Sequence, residues 1–142
     1  MKKLLLSLLV ATVALALLGG CSSKLAQIAL QVHLVKIEKK TDGTFLASLE
    51  FTNPNVDPIN LIKSTHQLTL NGLPAGVLDV AEPVGVPAQQ RYLTAVVLKP
   101  SSATASIAGS VSYQLVSVLT LSIYDNDTEH YKTSSSGTVK VE

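Results

Sequence analysis

The sequence has one cysteine, Cys21, and so no second thiol with which to build a disulfide, a thiolate metal site or a redox pair. It also has almost no net charge: eleven basic against ten acidic residues give a formal +1, and no basic run occurs. Nucleic-acid binding needs a cationic footprint that neutralises phosphates, so no such partner is expected. The three histidines, His33, His66 and His130, do not form HExxH or any other ligand pair, and no metal site is expected. Catalytic signatures are missing as well. Residues 106–110 (SIAGS) are not a G-x-S-x-G elbow, there is no Gly-rich phosphate loop, and the acidic residues are scattered without a recognisable pair. Asp125, Asn126, Asp127, Thr128 and Glu129 crowd oxygen ligands into five positions. They lack the glycine and distal glutamate of a calcium loop, so a solvated hairpin tip is expected. No catalytic residue, no metal and no small-molecule cofactor are expected, and the protein reads as a non-enzyme.

The first twenty residues read as an export signal. Lys2 and Lys3 make a basic start, residues 4–18 an apolar run, and Leu18-Gly19-Gly20 a small-residue cleavage site ahead of Cys21. A membrane-spanning helix needs about 20 apolar residues, and this run stops short of that at the two glycines. Leu-Gly-Gly-Cys resembles the lipobox of bacterial lipoproteins. The resemblance implies cleavage between Gly20 and Cys21 and covalent lipid on Cys21, with no other cofactor. An ordinary secretory signal followed by a chance cysteine is the alternative. Several acyl chains anchor stably where one is marginal, so the domain would be tethered to a bilayer and itself soluble. Ser22 follows the cysteine in place of the Asp that marks inner-membrane retention, which by resemblance favours the outer membrane, facing the periplasm. Losing residues 1–20 removes two lysines and moves the formal charge to −1. What remains is one domain's length, and its core alone must hold it.

The mature chain divides into a short lipidated tether, 21–27, and a domain over 28–142. Ile28, Leu30, Val32 and Leu34 alternate, then the apolar phase slips at Val35 and Ile37, as a β-bulge would make it do. A polar turn with Asp42 and Gly43 leads into Phe45, Ala47, Leu49 and Phe51 on one face of a second strand. Asn53-Pro54-Asn55 stops that strand: proline gives no amide proton, and short amide side chains bond nearby backbone. Beyond it, His66, Leu68 and Leu70 run into Asn71-Gly72, the strongest short-range hairpin signal, and residues 73–80 form the return strand. Pro74 keeps the start of that return at an edge. Residues 82–87 are a punctuated link. Residues 92–98 are apolar on both faces, which predicts a central strand. Residues 101–109 are small and polar, one helical turn or a simple crossover. A long strand over 111–124, a polar turn and a closing strand broken at 134–137 complete the chain. About seven short strands with turns between them predict an all-β, antiparallel β-sandwich of the fibronectin III or immunoglobulin kind.

These motifs resemble the water-stress and hypersensitive-response (WHy) domain of type 2 late embryogenesis abundant proteins. The resemblance rests on Phe51-Thr52-Asn53-Pro54-Asn55, the Leu68–Gly72 hairpin, the Val86-Pro87-Ala88 link and Gly137-Thr138-Val139, in order, over nearly all of 28–142. It implies a seven-stranded sandwich and protection from desiccation or other stress. The lipobox sets this chain apart from many members of that family and makes an intracellular role doubtful.

Two functions follow. The first is a non-catalytic, lipid-anchored envelope protein that protects by transient contact with proteins or membrane. The second is an envelope-assembly or ligand-binding lipoprotein that holds a partner at a sandwich edge or loop end. Asn53, Pro54 and Asn55 carry both readings, as a strand terminator and as a polar site at the end where loops gather.

Overall fold

The computed structural model describes residues 30–99, 101–102, 104, 106–122 and 127–142. The expected signal, its cleavage site at Gly20 and Cys21, the tether and most of the acidic turn at 125–127 lie outside these described residues. Eight strands follow one another: β1 (Gln31–Lys39), β2 (Phe45–Thr52), β3 (Ile59–Leu70), β4 (Leu73–Val80), β5 (Val84–Val86), β6 (Arg91–Leu98), β7 (Gly109–Ser122) and β8 (Thr128–Val141). The described residues contain no helix. The strands make one sheet in the order β4-β3-β7-β8-β1-β2-β6, with β5 pairing the start of β3. All neighbours are antiparallel except β1 and β8, which meet in parallel at Ile37 and Val141. The sheet is therefore mixed and has eight strands, where about seven antiparallel ones were expected. The added strand is Val84–Val86, which the two flanking prolines disguise as a link.

The sheet curls on itself. Phe51 on β2 meets His66 on β3 with ring centroids 5.8 Å apart, although three strands separate β2 from β3 along the sheet. Inside the curl lies one apolar core, to which β2 gives Phe45, Ala47, Leu49 and Phe51 and β7 gives Leu115, Leu119 and Leu121. Period-two alternation places these side chains, and bulges reset the phase where it slips. Val35 is left unpaired between Leu34 and Lys36, at the slip seen in the sequence. A second bulge at Ile62 turns the inward set of β3 from Ile59 and Leu61 to Ser64, His66, Leu68 and Leu70. The Asn-Gly hairpin also forms as expected. Asn71 and Gly72 both have positive φ, 48° and 79°, the primed turn that matches strand twist.

Two further expectations change. β6 is an edge strand, bonded only to β2, and not the central strand its two apolar faces suggested. β8 is unbroken across 134–137, because β7 pairs with it from Ser122–Thr128 to Gly109–Val141. Gly137 serves that pairing: a Cβ there would stand 3.1 Å from the Tyr113 ring, so the aromatic lies over bare backbone. Among the described residues of 101–109, Thr104 N donates to Ser101 O at 3.0 Å and Ile107 N to Thr104 O at 3.2 Å.

Candidate functional site

The Asn-Pro-Asn loop ends β2, and Asn53 inside it has no solvent exposure. Its Nδ2 donates to three backbone carbonyls: Asp57 O at 2.9 Å, Val86 O at 3.1 Å and Pro87 O at 3.1 Å. An amide nitrogen has two hydrogens, so two of these acceptors share one. Its Oδ1 accepts from Asn55 N at 2.9 Å and Asn55 Nδ2 at 3.0 Å. Asn53 N donates to Gln90 O, and Gln89 N to Asn55 O. The loop is thus bolted to the Val86-Pro87 link by one side chain. The Val86-Pro87 link supplies carbonyls that the Asn53 side chain satisfies. Asn53 has no capacity left for a ligand. Val56, 76% exposed at the loop tip, faces solvent.

His66 is the second buried polar centre; the sequence sets it in the alternating run with Leu68 and Leu70 without assigning it a role. Its Nε2 lies 2.8 Å from Ser64 Oγ and its Nδ1 2.7 Å from Ser117 Oγ, with none of the ring exposed. A neutral imidazole fits this pair, donating to one hydroxyl and accepting from the other. Burial is the main cause that lowers its pKa to about 4, against a smaller opposing pull from Asp79. The signal was present in the parity of β3: His66 shares its face with Leu68 and Leu70. A serine beside a histidine suggests a nucleophile and a base. Ser64 and Ser117 are as sealed as the ring, so no substrate reaches them here.

The other titratable groups sit outside. His33 is half-buried on β1. His130 Nδ1 lies 3.1 Å from Thr120 Oγ1 on an exposed stretch of β8. Where β8 meets β1, Lys36 Nζ reaches Glu38 Oε1 at 2.8 Å and Glu142 Oε2 at 2.7 Å, with Lys40 and Lys140 on the flanks. Hydrogen bonds from Lys36, then Lys40 or Lys140, hold Glu38 and Glu142 down at about 2, and the same bonds raise Lys36. These groups are solvated, so the network adds little to stability. Among the described residues, no group of three or more His, Cys, Asp or Glu is placed to hold a metal.

The last feature is the seam where the curled sheet stops. The two end strands, β4 and β6, approach each other at Gly76, where a Cβ would stand 2.8 Å from Leu98 Cδ1. Beside that contact runs an open groove of about 480 Å³ lined by Gly76 and Val77 on β4, by Asp79, and by residues 96–99. Leu93 and Val97 on β6 are 60% and 58% exposed.

With this geometry established, solved structures supply the comparison. The chain superposes on AT1g01470 from Arabidopsis thaliana, with a TM-score of 0.59 at 20% identity, covering 84% of this chain and 87% of that one. It superposes on At2g46140.1, a protein described as late embryogenesis abundant (LEA), with a TM-score of 0.53 at 19% identity, covering 84% and 75%. No family model and no curated protein matches the sequence. The chain shares the all-β fold of these two structures.

Proposed function

We propose that the protein is a non-catalytic envelope protein, anchored by lipid on Cys21, that protects other proteins or the membrane during drying or related stress. On this reading, residues 1–20 are a removed signal, 21–27 a tether and 28–142 the protective domain, a fibronectin-like sandwich closed by its own curl. The observation that carries it is the fold shared with an LEA-type structure, joined to the lipobox-like Leu18-Gly19-Gly20-Cys21. The sealed state of His66, Ser64 and Ser117 agrees with a role that needs no covalent chemistry.

The deciding experiment is survival of a deletion strain through drying and hyperosmotic shock, complemented by wild type or by Cys21→Ala. Rescue by wild type alone supports an anchored protector. Rescue by both variants keeps protection and removes the anchor. No loss on deletion overturns the reading.

A second reading is favoured by one specific feature, the open β6 edge. It makes the chain a holder of partner segments in envelope assembly, and a single stoichiometric partner recovered by crosslinking would establish it.

A further inference from the structure

Among the described residues, open edges run along β4, β5, β6 and the parts of β1 and β8 that precede their single ladder pair; β5 is three residues between Pro83 and Pro87, β1 is bulged at Val35, and the other three are finished differently. On β4, Pro74 offers no amide proton, Ala75 is an extra residue between the pairs Leu68–Gly76 and Thr69–Pro74, and Asp79 adds a charge. Each of these devices discourages another chain from pairing. On β8, the only ladder pair with β1 is Ile37–Val141, so its earlier part is open. That part carries Glu129, His130, Lys132 and a serine run. On β6, residues 92–98 read Tyr-Leu-Thr-Ala-Val-Val-Leu, with no proline, no charge and no register break against β2.

β6 therefore has the residues of a central strand in an edge position. Tyr92, Thr94 and Val96 are turned toward the curl and are not buried, while Leu93, Ala95 and Val97 lie exposed on the outer face. A row of backbone donors and acceptors that face solvent can exchange water for another extended chain, bonded at alternate residues. Flat apolar edges without protection pair with whatever strand they meet, so leaving one bare is a liability unless pairing is its use.

We propose that the β6 edge binds an extended segment of another, partly unfolded polypeptide, about six residues of alternating apolar and uncharged polar type flanked by acidic residues. This rests on the protective reading above and names its site of contact. The groove between the β4 and β6 edges receives side chains on one face of the added strand, and at its end Gly76, having no Cβ, lets Leu98 lie against the β4 backbone. Charge complementarity sets the flanks: Arg91 and Lys99 bracket the uncharged run, with Glu50 3.6 Å from Arg91 and Asp79 held by Thr65 Oγ1 at 2.9 Å. The same charges argue against a second copy. A two-fold antiparallel pairing of β6 with itself, centred on Ala95, sets Arg91 of each chain opposite Lys99 of the other.

The test is hydrogen exchange on the full chain, extracted in mild detergent, with three synthetic heptapeptides. They are Glu-Val-Thr-Val-Thr-Val-Glu, the same with lysine at both ends, and the same with proline at its centre. The acid-flanked peptide should slow exchange of alternate amides in 92–98 at least tenfold, leaving β4 unchanged. The lysine and proline peptides should do so weakly or not at all. Val97→Lys should abolish the protection, while Val118→Lys, an exposed change on β7, should preserve it. Protection that needs no peptide and rises with protein concentration would mean a second copy and overturn the proposal. So would protection elsewhere, or none. If wild type and Val97→Lys shield a drying-sensitive enzyme equally well, the protective reading stands and the β6 site falls. If β6 binds the acid-flanked peptide but wild type shields nothing, the protective reading falls and the site stands.

Discussion

Asn53 and His66 are both polar, both without exposure and both fully bonded, yet they hold the molecule in different ways. Asn53 faces main chain: its amide collects the carbonyls of Asp57, Val86 and Pro87, the last of which also accepts from Gln90 N. His66 faces side chains, and its two hydroxyl partners lie on the same β3–β7 pair as itself. An amide has no proton to lose or gain near neutral pH, so the loop junction is blind to acidity. The imidazole is not. Backbone that must leave its ladder is best held by a group of fixed charge, whereas a polar residue inside a core ties stability to the solvent's pH.

Substitutions test this contrast. The largest effect is expected for Asn53→Asp, which keeps the shape, removes the donors and buries a charge against three carbonyls. Stability measured by urea unfolding at pH 7.5 should fall by about 3–5 kcal/mol. A loss below about 1 kcal/mol would mean the loop is not held through that amide.

Acid is next. The unfolded His66 takes up a proton near pH 6.5, but the folded one does so only near 4. Its contribution to stability is therefore complete above about 6.5 and is lost as pH falls toward 4, to a total of about 3 kcal/mol. Glu38 and Glu142, held at about 2, add their own acid dependence only lower, below about 4.5. A His66→Gln chain should show a flat profile between 6.5 and 4.5, and an unchanged slope there would assign the effect elsewhere.

Ser117→Ala leaves Nδ1 without its partner and should cost about 1–2 kcal/mol, with no change in the loop. Finally, His130→Gln changes an exposed residue of β8 whose Nδ1 lies 3.1 Å from Thr120 Oγ1, and should stay within about 0.5 kcal/mol of wild type in urea unfolding at pH 7.5. A larger loss would mean that this surface bond helps to hold β8.

The same contrast shows what was legible in the sequence. Asn53 could be read, because an Asn-Pro-Asn that ends an alternating run has a local reason to exist. Val35's bulge and the Asn71-Gly72 turn were legible for the same reason, since each is written in neighbouring residues. His66 could not be read as buried with equal ease, because the bulge at Ile62 hides which face of β3 turns inward. β6 misled because apolarity on both faces says that a strand is meant to be covered on both sides, but not by which chain. The break expected at 134–137 failed because weak strand formers there are carried by the register of β7, which is set far away in the sequence. Information of that kind is tertiary, and a window of ten residues does not hold it.

The parallel meeting of β1 and β8 has a consequence in time. Ile37 and Val141 lie about a hundred residues apart, and Lys39 N and Glu142 N each bond across that junction, to Glu142 O and Ile37 O. Contacts between the two ends of a chain are the slowest to find and the last to form. As the chain emerges from a ribosome or a translocation pore, the β1-β2-β6 half is complete while its closing strand is still being delivered. During that interval β1 is also open along its far side, and the half-made sheet has two bare rims in place of one. A chaperone or a fast-arriving β8 has to cover that gap, so truncations near residue 138 should aggregate during synthesis more than the lost contacts alone would suggest.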